Sequence, residues 1–187
     1  MQQLKQYFEK IGFAGDDLDK ILQSFVLKSY DKNDFFVEVG KTNKYLGFIE
    51  SGMMRYYVIK EGEERTTYVA LERSFLVSLY SFLQEKPSFE YIQALVDTQV
   101  YILSKTALRT LQNELPAFNN FYIGLLESAI CGIDDTRHGL IVLTAEQRYE
   151  KMLREESHLL QQIPLQYLAS ILGVTPRHLS RIRQQIR

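Results

Sequence analysis

Arginine is concentrated at one end of this sequence. From Leu160 onward there are four arginines, Arg177, Arg181, Arg183 and Arg187, and no aspartate or glutamate. A guanidinium presents a rigid fork of N–H donors that fits a phosphate or the edge of a guanine. Interleaved with them are His178, Ser180 and Gln184, which can also hydrogen-bond a nucleic acid. Leu179 and Ile182 are three apart, which puts them on one side of a helix and Arg177, His178, Ser180, Arg181 and Gln184 on the other. Thr175 suits the N-cap of that helix and Pro176 its first position. The imbalance extends further: residues 1–140 carry a net −4 and residues 141–187 a net +3. A basic end on an acidic body points to a polyanionic partner.

The other reactive side chains form no pattern. His138, His158 and His178 all follow the strand-rich part, which therefore has no imidazole for a metal or haem. Cys131 stands alone, so neither an intrachain disulfide nor a four-cysteine cluster can form, and it is expected as a small core residue. No nucleophile–base pair and no Gly-rich phosphate loop stands out. The expectation is a protein that is not an enzyme, with no catalytic residues, no metal and no cofactor. No apolar run nears the ~18 residues of a membrane span, and the polar start MQQLKQYFEK lacks a signal-peptide pattern. This composition suits the cytoplasm and no membrane partner.

The basic helix needs a scaffold, and the residues before it supply one. Pro164 opens a helix in which Leu168 and Leu172 face inward and Ala169 leaves room for a crossing helix. Gly173 follows where the turn needs a positive φ, and Val174 plugs the turn. Leu179 and Ile182 then fall six and nine residues after Gly173. This is the spacing of a helix-turn-helix with 175–187 as the reading helix. The expected DNA-binding residues are Thr175, Arg177, His178, Ser180, Arg181, Arg183 and Gln184. Arg177 and Arg181 would point into the major groove, and Arg183 and Arg187 would lie nearer the phosphates.

Further upstream, residues 4–24 read as helix around a Gly12–Gly15 break, and 25–103 as short strands. Examples are 35–39, 45–50, 54–60, 65–71, 91–96 and 99–103, with EGEE as a hairpin loop between the third and fourth of these, a pattern of a sandwich or barrel. Arg55, Tyr56, Arg65, Tyr68, Ser78, Tyr80, Phe89 and Tyr91 are the polar and aromatic residues that could face a pocket there; Arg55, Ser78, Tyr80, Phe89 and Tyr91 are the candidate effector contacts. Ser104 caps a helix, and after Pro116 an apolar stripe runs for more than four turns. It is wide enough to face the barrel and a second copy. Phe118, Phe121, Tyr122, Leu125, Leu126, Ala129 and Ile133 are the expected dimer contacts. Thr144 and Gln147 make a capping-box pattern.

This order of elements, together with TAEQRYEKMLREE and IPLQYLASILGVTPRHLSRIR, resembles the Crp/Fnr family of bacterial transcription factors over nearly the whole chain. The resemblance implies an α+β fold. A cyclic-nucleotide-binding-like β-roll, a double-stranded jelly-roll-like barrel, would cover residues 1–114. A dimerisation helix would cover 115–140 and a helix-turn-helix domain 141–187. By the same resemblance the base-reading positions fall on Pro176, Arg177 and Arg181, and proline has no side-chain hydrogen bond to give. The family's nucleotide cassette pairs Gly-Glu, for the ribose, with Arg-Ser or Arg-Thr, for the phosphate. Val77 and Ser78 stand at the first pair here, Ser88 and Phe89 at the second. Without the arginine the charge-assisted phosphate contact is gone, so the usual ligand is not expected. The family continues beyond the reading helix into a β-wing on the phosphate backbone, and this sequence ends at Arg187, without a visible wing. The function that follows is a homodimeric regulator of transcription reading a palindromic site in double-stranded DNA. A contact with RNA polymerase and an unidentified small-molecule effector are compatible with it. The alternative is a ligand-sensing or protein-interaction module that no longer binds DNA.

Overall fold

The computed structural model describes residues 1–186, so Arg187 and its expected phosphate contact lie outside the described residues. Two helices, α1 (Gln2–Lys10) and α2 (Gly15–Gln23), open the chain on either side of the Gly12–Gly15 break. Leu4, Phe8, Leu18, Ile21 and Leu22 are buried at helical spacing. The strands β1 (Val26–Tyr30), β2 (Phe35–Val37), β3 (Tyr45–Ser51), β4 (Met53–Lys60), β5 (Glu63–Leu71), β6 (Phe75–Leu76), β7 (Tyr91–Ala94) and β8 (Thr98–Ser104) follow. A short helix, α3 (Leu79–Gln84), lies between β6 and β7.

The strands form two four-stranded sheets, ordered β1-β8-β3-β6 and β2-β7-β4-β5. One residue in two faces the interior: Met54 and Tyr56 from β4 and Ile92 and Ala94 from β7 join Tyr30, Val37, Ile49, Ala70, Leu76 and Val100 in one core. Gly47 allows close packing within the first sheet, since a Cβ there would sit 2.8 Å from a Leu76 methyl and 2.9 Å from a Val100 methyl. The β4–β5 connection is tighter than a four-residue EGEE loop. Only Glu61 and Gly62 lie between the strands, with φ of 55° and 81°. Two left-handed residues match the right-handed twist of the strands they join.

The helices α4 (Lys105–Glu114), α5 (Pro116–Val142), α6 (Ala145–Glu155), α7 (Ser157–Gln162), α8 (Leu165–Ile171) and α9 (Pro176–Gln185) complete the chain. The sequence divides the chain into three, at 114 and 140. The fold divides it into two compact units, Met1–Val58 with Tyr68–Tyr122, and Ile59–Thr67 with the chain from Ile123 onward, so the break falls inside α5. Among the described residues no helix is long and apolar enough to cross a membrane.

Candidate functional site

The second unit carries the basic helix. Helix α8 ends at Gly173, whose φ of +69° reverses the chain. The Val174 N–H donates to the Ala169 carbonyl at 2.9 Å and the Gly173 N–H to the Ser170 carbonyl at 3.0 Å, the paired bonds of a Schellman motif. Thr175 then caps α9, its hydroxyl accepting from the His178 N–H at 3.2 Å, with Pro176 in the first turn. Leu168, Ala169 and Leu172 from α8 and Leu179 and Ile182 from α9 are buried. That burial fixes the roll of α9 and leaves Arg177, Arg181 and Gln184 exposed in one line at spacings of four and three.

The other expected contacts are engaged within the unit. Ser180 Oγ donates back to the Pro176 carbonyl at 3.0 Å. His178 Nε2 lies 3.3 Å from Glu146 Oε1 on α6. The backbone N–H of Glu146, Thr144 and His178 together hold the Glu146 carboxyl below the usual carboxylate range. Arg183, expected nearer the phosphates, is turned toward the unit's own interior. It is half-buried, donates to the Leu160 carbonyl at 3.3 Å and lies 5.9 Å from the centre of the Tyr149 ring. Although its buried Nε has no hydrogen-bond partner, the carbonyl and the aromatic face it meets tie α9 to α6 and α7. Arg183→Ala is therefore expected to lower the unfolding free energy by about 1–3 kcal/mol, which thermal unfolding checks.

Arg148 has no counterpart in the sequence reading. From α6 its guanidinium donates to the Leu172 carbonyl through Nε at 3.1 Å and Nη2 at 2.7 Å, and to the Leu143 carbonyl through Nη1 at 2.6 Å. These carbonyls end α8 and follow α5, where a helix leaves acceptors unsatisfied. Its neighbours Thr144 and Gln147 form the expected capping box at the start of α6.

Along α5 the apolar stripe splits. Phe118 and Tyr122 are buried within the first unit, and Phe121 packs with Tyr7, Phe8, Phe13, Phe75 and Phe118 at ring separations of 5.2–6.5 Å. These three hold the helix to its own chain and are not a free surface, which corrects their reading as dimer contacts. Leu125, Leu126 and Ala129 are half-buried. A second line runs Ile123, Leu126, Ile130, Ile133, Arg137 and Leu140, alternating steps of three and four, the spacing of a coiled-coil seam. Its isoleucines are 45%, 60% and 58% exposed and Leu140 is 48% exposed. Arg137 is paired with Asp134 at 2.7 Å. Cys131 is exposed on the same helix and not a core residue.

In the barrel the candidate effector residues do not converge. Arg55 and Tyr91 lie on the opposite sheet face from Tyr56 and Ile92. There the Arg55 guanidinium sits 4.0 Å from the centre of the Tyr57 ring, and Tyr57 stacks on Tyr91 at 4.8 Å. Tyr80 and Phe89 stack on each other at 4.6 Å, both exposed. Ser78 alone turns inward, into a cluster with Ser88, which is also buried, and Glu90: the two hydroxyls are 3.0 Å apart and Ser78 Oγ donates to Glu90 Oε1 at 2.9 Å. Among the described residues no group of three His, Cys, Asp or Glu could hold a metal.

Residues 27–114 match the cyclic nucleotide-binding domain family. No curated protein matches the chain by sequence. Among solved structures the chain is similar to FixK2 from Bradyrhizobium japonicum, with TM-score 0.73, 16% identity, and 87% of this chain and 84% of that one covered. It is also similar to the catabolite activator protein of Thermus thermophilus, with TM-score 0.60, 22% identity and coverage of 94% and 84%. A third match, to a Eubacterium rectale protein described as a transcriptional regulator of the crp/fnr family, has TM-score 0.67, 16% identity and coverage of 96% and 87%. With the match over residues 27–114, the long α5 and the helix pair α8 and α9, the chain shares the fold of these solved structures, one of them described as a regulator of the crp/fnr family.

Proposed function

We propose that this protein is a homodimeric regulator of transcription that reads a two-fold symmetric site in double-stranded DNA through α9. The observation that carries the reading is the line Arg177, Arg181 and Gln184, exposed on the face of α9 away from buried Leu179 and Ile182. Arginine and glutamine are side chains that bond base edges bidentately. A single short helix reads only a few base pairs, and a second copy doubles the site. The exposed line from Ile123 to Leu140 is the surface proposed for that copy, and burying it removes large apolar side chains from water. Selection of bound sequences from a random DNA pool tests the reading. Recovery of an inverted repeat whose binding falls with salt supports it. No binding to any duplex at low salt would favour a module that no longer grips DNA.

The barrel of this regulator is expected not to bind cyclic AMP. Ser88 offers a hydroxyl where the resemblance places an arginine, Ser78 and Ser88 are bonded to each other, and a carboxylate lies beside them. A phosphate brought there would meet negative charge with no guanidinium to balance it. Calorimetry with cyclic AMP should show no saturable heat, and a one-to-one micromolar complex would overturn this expectation.

A further inference from the structure

The end of α5 carries a cleft on one flank and an unsheltered side chain on the other. The cleft, of about 130 Å³, lies where α5 meets α6 and α8, and its floor is apolar: Leu143, Met152, Ile171 and Leu172. Thr136, Gly139 and Leu140 form its edge on α5, and Gly139 brings no side chain into it. A space of this size holds about one benzene-sized apolar group. The charges beside it are engaged elsewhere. Lys151 pairs with Asp135 at 2.5 Å, Glu155 with Arg154 at 3.0 Å, and Arg148 with the Leu143 and Leu172 carbonyls, while Glu156 is exposed to solvent. The cleft therefore suits an uncharged occupant better than an ion.

On the other flank Ile141 is 74% exposed, more than any other large apolar side chain among the described residues. The heptad pattern says where it goes. Ile123, Leu126, Ile130, Ile133, Arg137 and Leu140 take the a and d positions. Counted from them, Thr136 and Leu143 fall at g and Ile141 at e, on opposite flanks of the seam. Two copies of α9 reach the two halves of one DNA site only from the same end of the pair, which makes the α5 helices parallel. In a parallel pair each g position meets the e position that follows it on the other helix. Thr136 of one copy then stands beside Ile141 of the other, at the edge of the cleft.

We infer that the cleft is filled by Ile141 of a second copy, each chain completing the apolar site of its partner. The inference rests on the dimer proposed above and deepens it: the second copy grips α6 and α8, which set α9, as well as α5. Sedimentation of the full chain gives the first test. Ile141 faces mostly solvent within its own chain, so Ile141→Ala should fold. It should raise the dimer dissociation constant about tenfold or more, since two branched side chains leave each interface. Val142 is 59% exposed but falls at f, away from the seam, and Val142→Ala should change the constant less than about twofold. The second test is an isotope-filtered NMR experiment on mixed dimers, one copy labelled at isoleucine δ1 methyls and the other at methionine ε methyls. It should show a contact between Ile141 and Met152, assigned with Ile141→Val and Met152→Leu. A dimer without that contact, or equal weakening by Ile141→Ala and Val142→Ala, would overturn the inference and leave the dimer standing. A parent chain that sediments as a monomer at micromolar concentration would overturn both.

Discussion

Ile130→Arg is expected to give a monomer of about 21.9 kDa that no longer holds a two-half-site duplex. Ile130 sits at the middle of the exposed line from Ile123 to Leu140 and is its most exposed apolar member. Across a two-fold axis the substitution would set two guanidiniums against each other and against apolar partners, and of the two carboxylates within a turn, Glu127 and Asp134, the second is already paired with Arg137. An unpaired buried charge costs several kcal/mol, more than an interface of this kind supplies from one turn. Arg137 already interrupts the line once, but Asp134 accompanies it at 2.7 Å. Losing the dimer turns binding of the second half-site from an intramolecular event into a bimolecular one, a loss of roughly 100-fold or more in affinity. Light scattering at micromolar concentration and anisotropy on an inverted repeat measure the two consequences. Ile130→Leu should retain both properties. Phe118→Ala supplies the contrast. Phe118 is fully buried against the chain's own aromatic cluster, so its loss should lower stability without directly touching the pairing surface. A dimer that survives Ile130→Arg would move the interface elsewhere.

The second large effect is expected at Arg181. It stands one turn beyond Arg177 on the exposed line of α9, and the burial of Leu179 and Ile182 leaves it no other direction. If it bonds a guanine edge, Arg181→Ala costs about 1–3 kcal/mol per half-site and relaxes the preference at one base position. Anisotropy on a selected inverted repeat and on a scrambled duplex separates the cases. A loss confined to the selected duplex marks base reading. Equal losses on both, with a salt slope shallower by about one unit, would make Arg181 a phosphate contact.

Local signals in the sequence proved sufficient for the elements that local chemistry decides. Ser104, Thr144 with Gln147, and Thr175 each cap the helix their types and spacing imply. Gly173 takes the left-handed turn that only its position between two apolar helices demanded. Most strands were legible from β-branched and aromatic runs. β1 was not: Val26 and Leu27 are both exposed, and without alternation a strand has no period to read. α3 is six residues long, too short for helical periodicity to declare itself inside a strand-rich stretch. The larger misreadings concern which way long side chains turn. Arg183 differs from Arg181 only in being two residues on, which turns it toward Leu160 and Tyr149. On α5 the stripe is apolar all the way, so sequence alone cannot say that Phe118 and Tyr122 face inward while Ile130 and Ile133 do not. Glu90 and Arg148 carried no pattern at all, because their partners are backbone atoms and serine hydroxyls that no residue type or spacing announces.

The three bonds of Arg148 bear on how the helix-turn-helix could be handled as a part. An α7–α9 fragment cut after Glu155 would keep its caps and its Gly173 turn but lose the guanidinium on Leu172. The last carbonyls of α8 would then need water as a partner, at the point where α9 must be set. The smallest transplantable form of this helix pair therefore starts not at its first helix but upstream of Leu143, so that Arg148 has both carbonyls to hold. A graft made at the shorter boundary would carry Arg177, Arg181 and Gln184 and still present them at an undefined angle.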